Sequence, residues 1–239
     1  MERSERYKMR ENKEKKCLGL AMLCGILGCL CYGSGDWLMM YGNPEHTGDI
    51  FWLTEGVAQI PSWRNNLSML VAFPGIVFYG IALFYLGTMI KDEKEKKIYH
   101  YLNAFGLTPW MCLHIFYVMI LYLYAWLCGN GYGDIAYQIC EAVYLHLSWI
   151  VILCEVFMIP VFVYWFYVVL RGKTKLPKWV AFTNVLIIFA VMEVIKSFMP
   201  ESAFRIGFTN GLMSESMFIF FIIILVVRWK QINYITPFS

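Results

Sequence analysis

Six long apolar runs alternate with short polar stretches, at about residues 17–41, 67–90, 102–128, 135–170, 179–199 and 209–227. Each comes close to or exceeds the ~20 residues that an α-helix needs to cross the hydrocarbon core. The pattern predicts an all-α, polytopic transmembrane helix bundle with six membrane-spanning helices. Residues 17–230 form that domain, between a charged tail at 1–16 and a short tail at 231–239. The fourth run is too long for one crossing, since its 36 residues would reach roughly 54 Å. Its first turns are expected to project beyond the membrane, with a kink at Pro160.

The connections differ in charge. Lys and Arg number seven in the first tail, four in KDEKEKK (91–97), four in RGKTKLPK (171–178) and two in RWK (228–230). The opposite connections hold only Arg64 and Arg205, with Lys196 near the end of the fifth run. Basic residues collect on the cytoplasmic face, so both termini are expected to be cytoplasmic, in the cell membrane. The first tail is expected to form a solvated helix or stay loose. The run after it begins like a signal peptide, and Ile26-Leu27-Gly28-Cys29 imitates a lipoprotein cleavage site. It continues past a signal peptide's length, however, and reads as an uncleaved anchor. On the outer face, the connection 42–66 opens with an Asn43-Pro44 turn and is expected to lie on the membrane surface, with Trp52 and Trp63 among the headgroups. The glycine-rich link 129–134 makes the third and fourth helices antiparallel neighbours.

Composition agrees. Hydrophobic residues make up 59% and aromatic residues 18% of the chain, and the mean hydropathy is +0.55. A soluble domain could not hide that much apolar surface, so the lipid bilayer is a required partner. The net charge is only +3, and the basic residues sit beside apolar runs rather than in a stripe. Nothing points to nucleic acid.

Ala21, Gly25, Cys29 and Gly33 recur every four residues and give the first helix a smooth face. Such a seam admits a closely packed helix, from the same chain or from a second copy in a homo-oligomer. Asp36 lies on the same face and is expected to point into the bundle. All eight cysteines fall in apolar runs without zinc-ribbon spacing. Cys128 and Cys140 flank the 129–134 link, where a disulfide is conceivable.

Ionisable residues inside the spans are the candidate chemistry, because each costs on the order of 2.5–3.5 kcal/mol to insert. Counted from the nearest basic boundary, His114, Glu155, Glu193 and Glu215 all lie roughly 20–25 Å deep, on four different helices. Asp36, Glu141, His146 and Lys196 come nearer the outer face. Glu141, Ser148 and Glu155 are spaced by seven with Tyr144 beside them; Asn210 and Ser214 are four apart beside Glu215; Trp110, His114 and Tyr117 share one helical face. The expectation is a polar cavity open to the outer side and floored by the His114/Glu155/Glu193/Glu215 layer. Three carboxylates there would need a cation, a metal or protons to share their charge. Glu193 and Lys196, three apart, could instead pair with each other. There is no H-E-x-x-H, no G-x-S-G and no phosphate-binding glycine loop. Ser34, in Gly33-Ser34-Gly35-Asp36, is a weak nucleophile candidate without a neighbouring histidine in sequence.

Gly35-Asp36-Trp37-Leu38, Trp63-Arg64, AFPGIVFYG at 72–80 and Asn210-Gly211-Leu212-Met213-Ser214 together resemble an uncharacterised bacterial family of six-pass membrane proteins, over nearly the whole chain after the tail. The resemblance implies fold and class and assigns no catalytic residue. More distantly, acids and an Asn buried among transmembrane helices are similar to the sterol-isomerase-like membrane fold, whose helix number and spacing differ.

The leading expectation is therefore binding of a cation or small polar ligand from the outer side, for transport or sensing, by Asp36, His114, Glu141, Glu155, Glu193, Asn210, Ser214 and Glu215. The first rival is a membrane-embedded enzyme acting on a lipid or isoprenoid headgroup, with Arg64 or Arg205 holding a phosphate. The second is a scaffold whose glycine-rich first helix docks a partner. The sequence names no cofactor.

Overall fold

A computed structural model of the chain describes residues 2–45, 50 and 52–234. It consists of α1 (Glu2–Met40), a single turn α2 (Glu55–Ala58), α3 (Ser62–Gly87), α4 (Glu93–Gly129), α5 (Gly133–Leu147), α6 (Trp149–Leu170), a 3-10 turn (Lys178–Thr183), α7 (Val185–Ser197) and α8 (Ala203–Tyr234). Five helices, α1, α3, α4, α6 and α8, are long and apolar enough to cross a membrane. The chain is an integral membrane protein.

Two expected spans are corrected. The run 179–199 is not a helix of spanning length: it divides at Asn184, and the 13 residues of α7 rise only ~20 Å. Asn184 explains the division. Its side chain accepts from Leu186 N (3.0 Å) to cap α7 and donates to the Phe162 carbonyl (2.9 Å), leaving its own backbone extended. The fourth run breaks at Ser148 into α5 and α6, and Pro160 lies within α6. Ser148 Oγ turns back to the Leu145 carbonyl (2.9 Å), the local bond by which serine competes with a helix.

The charged stretches are helical, and of the two states expected for the first tail the helix is the one found. The backbone of the first tail continues into α1. Most of KDEKEKK forms the first turns of α4, capped where Asp92 accepts from Glu95 N (3.0 Å). Residues 46–49 and 51 of the outer connection, and 235–239 of the C-terminal tail, lie outside the described residues.

α1 is the centre of the bundle, flanked along its length by α3 and α8; α4 packs on α3 and α6, and α7 on α8. The seam on α1 is filled from within the chain. An added Cβ at Gly25 would lie 2.7 Å from the Phe221 ring and 2.9 Å from Ala82, and one at Gly33 would lie 3.0 Å from Ser214. Outward faces carry exposed apolar side chains such as Leu70, Phe73, Phe105, Ile152 and Val156, as hydrocarbon contact requires.

The end bearing the basic connections is stitched together. Lys91 N donates to the Lys173 carbonyl (2.8 Å) and Lys175 N to the Met89 carbonyl (2.9 Å). Glu95 receives both Lys173 and the Tyr164 hydroxyl. The Lys173 ammonium is held above its ordinary range by the hydrogen bond to Glu95 and then by that to Tyr167. Glu14 accepts from Arg228 (2.6 Å) and Lys175 (3.4 Å), tying α1 to α8.

Candidate functional site

At the other end of the bundle, α1, α4, α6 and α8 part around a cavity of about 300 Å³. Its walls carry Asp36 from α1, His114 from α4, Glu155 from α6, and Asn210 and Ser214 from α8. The rings of Tyr32, Trp52, Trp110, Tyr117 and Phe189 line it as well, among apolar side chains such as Met39 and Met158. Trp110, His114 and Tyr117 face the cavity together, as their helical spacing predicts.

Trp52 does not sit among headgroups. It is buried, with its ring edge-on to Tyr117 and Tyr144 at 5.2 Å, and it lines the cavity. Trp63 is exposed at the start of α3.

Asp36 and His114 form the floor. His114 Nδ1 lies 3.2 Å from Asp36 Oδ1, without the alignment of a hydrogen bond. Ser214 Oγ donates weakly to Asp36 Oδ2 at 3.5 Å. On the far side of the imidazole, Nε2 meets Ser68 Oγ at 3.1 Å, and Ser68 Oγ donates to the Gly35 carbonyl at 2.8 Å. Tyr32 donates to the Trp110 carbonyl (2.9 Å) and packs its ring 4.7 Å from the imidazole. These contacts join α1, α3, α4 and α8 at one point.

Glu155 stands apart. It borders the cavity from the second turn of α6, is exposed, and has no cationic partner among the described residues.

The expected four-membered layer does not assemble, since only His114 and Glu155 of that set border the cavity. Glu193 is turned to Lys196 in an i,i+3 pair. Glu215 lies beside Trp37, whose Nε1 donates to its Oε1 (3.0 Å) while Oε2 finds no partner among the described residues. Trp37 reaches it by lying across Gly207 and Gly211. Glu141 stays on α5, near the Tyr137 hydroxyl (3.5 Å). Depth along a helix sets a layer but not the direction a side chain faces, which is why equal depths misled. Among the described residues no three His, Cys, Asp or Glu side chains converge as metal ligands.

Other candidates are resolved locally. Ser34 is exposed and donates to the Cys31 carbonyl (2.9 Å), away from His114. Cys128 and Cys140 are both free thiols, and Cys140 Sγ points at the Ile120 carbonyl (3.8 Å). Arg64 donates to the carbonyls of Tyr41 (2.9 Å) and Trp37 (3.4 Å), closing the end of α1.

A second cavity, of about 270 Å³, adjoins the first and shares Trp52, Thr209 and Asn210 with it. It is lined by Lys196, Glu201, Ser202 and Arg205.

Sequence reasoning missed Tyr32, Trp52 and Ser68. For Ser68 a signal existed: Asn65 and Ser68 stand three apart where α3 enters its apolar run, and both are fully buried. Tyr32 and Trp52 carried none, because aromatic residues abound at every helix end.

No curated protein and no solved structure matches the chain. A family model described as a family of unknown function (DUF6796) matches residues 9–231, and the chain belongs to that family.

Proposed function

We propose that this protein binds a small organic monocation in the Asp36/His114/Glu155 cavity, for transport or sensing, from the face opposite its basic connections. In this reading the basic end is cytoplasmic and the chain crosses the membrane six times. The 3-10 turn and α7 together make the fifth crossing, with a combined rise of ~32 Å. Their two ends support it: Lys175 beside them joins Glu14 at the basic end, while Lys196, in the last turn of α7, lines the outer cavity.

The observation that carries the proposal is Glu155, an acid without a cationic partner among the described residues, bordering a chamber lined by five aromatic rings. Ring faces and a carboxylate together attract a weakly hydrated cation, and desolvation strengthens that attraction to ~2 kcal/mol or more per good ring contact.

The rival enzyme reading has one geometric attraction, since Ser68, His114 and Asp36 follow one another at the distances of a nucleophile triad. Ser68 is fully buried, however, borders neither cavity, and spends its proton on the Gly35 carbonyl. The relay therefore reads as a brace for the cavity floor.

The test is calorimetric titration of the detergent-solubilised protein with tetramethylammonium, guanidinium, ammonium, sodium and potassium. Saturable binding of an organic cation that is lost in Glu155→Gln and kept in Glu193→Gln supports the proposal. Absence of binding for every cation at millimolar concentration, or binding indifferent to Glu155→Gln, refutes it.

A further inference from the structure

The two adjoining cavities carry opposite chemistry. The inner one presents Glu155 and the Asp36–His114 floor, and the outer one presents two bases, Lys196 and Arg205, with one acid, Glu201, at its exposed edge. The bases of the outer cavity are not equivalent. Lys196 is already paired with Glu193. The Arg205 guanidinium makes no hydrogen bond among the described residues, and its one ionic neighbour, Glu201, lies 4.0 Å away and is itself largely exposed.

Arg205 also sits in the first turn of α8, where Ser202 Oγ accepts from Arg205 N at 3.2 Å. The N-terminus of this 32-residue helix thus opens on the same space as an uncommitted guanidinium. Aligned peptide dipoles there favour negative charge, and a planar guanidinium suits a carboxylate or phosphate. Asn210 stands at the junction of the cavities. Its Nδ2 donates to the Ile206 carbonyl (2.8 Å), which leaves its side-chain oxygen available to a ligand donor.

We infer that the two cavities are the halves of one binding site and that its ligand is a small zwitterion, with its cationic group in the inner half beside Glu155 and a carboxylate or phosphate against Arg205. This rests on the cation reading of the inner cavity and names the substrate class. Along α8, Asn210 and Ser214 lie five and nine residues from Arg205, so the two charges stand on the order of 10 Å apart. That suits a short peptide, an extended amino acid or a zwitterionic headgroup.

The experiment compares ω-aminocaprylate with its amino alcohol, which has the same chain and the same ammonium but no anion, by calorimetry on the solubilised full chain. The zwitterion is expected to bind at least tenfold more tightly. Arg205→Gln should remove that difference while leaving the amino alcohol unaffected, and Arg205→Lys should keep part of it, which also shows that the position tolerates substitution. Equal affinity of the two probes for the wild type overturns the zwitterion inference and leaves the cation reading standing. Failure of both probes to bind overturns both. With binding established, nanodiscs of phosphatidylglycerol alone and nanodiscs enriched in phosphatidylethanolamine separate the sources. Loss of ω-aminocaprylate binding in the second identifies a lipid headgroup as the occupant, and unchanged binding identifies a free solute.

Discussion

Gly25→Ala puts the central packing claim to a test in which the sign of the effect decides. In an exposed helix interior, exchanging Gly for Ala stabilises by about 1 kcal/mol. At Gly25, however, the new methyl would meet Phe221 at 2.7 and 2.8 Å and Ala82 at 2.9 Å, against an ordinary carbon contact of about 3.5–4.0 Å. Phe221 is fully buried and has no free side to move into. Overpacking of this kind costs about 1–3 kcal/mol, so the net change is a loss of roughly 0–2 kcal/mol once propensity is returned. Gly19→Ala is the internal control. It lies on the same helix, and its methyl would find only Trp229 at 3.8 Å, an ordinary contact. The difference between the two variants cancels propensity and isolates the overpacking, about 1–3 kcal/mol, or roughly 2–12 °C in melting temperature for a chain of this size. Unfolding in mixed micelles, followed by circular dichroism, reads it. Phe221→Leu should partly rescue Gly25→Ala while weakening the wild type, a coupling that only direct contact produces. If Gly25→Ala is as stable as Gly19→Ala, α1 does not pack against α8 as described.

Four further outcomes follow from the same contacts. Trp37→Phe removes the one donor to Glu215 among the described residues and should cost about 1–3 kcal/mol, whereas Glu215→Gln keeps an acceptor for the indole and should cost less; equal losses from both would refute that hydrogen bond. Arg228→Met leaves Glu14 with Lys175 alone, and because the Glu14 side chain is 34% exposed the loss should be about 1–3 kcal/mol, below that of a fully buried pair; an unchanged melt would show that the α1–α8 tie carries nothing. Gly131→Ala, at φ +85, should cost about 1 kcal/mol, while Gly133→Ala, which meets open space, should be neutral or mildly stabilising in the same melt. Thiol titration of the unfolded, unreduced chain should count all eight cysteines, and a count of six would mean a disulfide.

The membrane character was legible because hydrocarbon imposes one loud rule, a long apolar run per helix, and five of the six runs obey it. Where single polar residues set the structure, the pattern failed. Asn184 and Ser148 each interrupt an apolar run with a side chain that can bond to backbone, and hydropathy averages over them. For the site, helical phase was a better guide than depth. It grouped Trp110 with His114 and Tyr117, and turned Asp36 inward from the position of Gly33, and each of these residues lines the cavity. Depth grouped Glu193 and Glu215 with His114, and their side chains face elsewhere. The stripe of Glu141, Ser148 and Glu155 failed for a third reason: the break at Ser148 separates the phase of α5 from that of α6. Only Glu155 of the three reaches the site.

The contacts at the floor also fix how much charge the cavity holds. Ser68 Oγ lies 2.8 Å from the Gly35 carbonyl, a separation that requires the single hydroxyl proton to point at that oxygen. Nε2 of His114, 3.1 Å from the same Oγ, must then supply a proton of its own. One more proton has to be carried by the ring or by Asp36, because Nδ1 and Oδ1, 3.2 Å apart, would otherwise repel. Placed on the ring, it gives an imidazolium beside a carboxylate; placed on Asp36, it gives a neutral ring beside a neutral acid. The pair sums to zero in both arrangements. On this count Glu155 sets the net charge of the inner cavity, and the proposed ligand is for that reason a monocation. Ser68→Ala frees Nε2 from donating and lets Nδ1 carry the ring proton toward an ionised Asp36, which adds one negative charge to the floor. Divalent organic cations such as a short α,ω-diamine should gain affinity over the matching monoamine in Ser68→Ala and show no such gain in the wild type. A wild type that already prefers the diamine would mean that the floor carries charge, and the proton count above would be wrong.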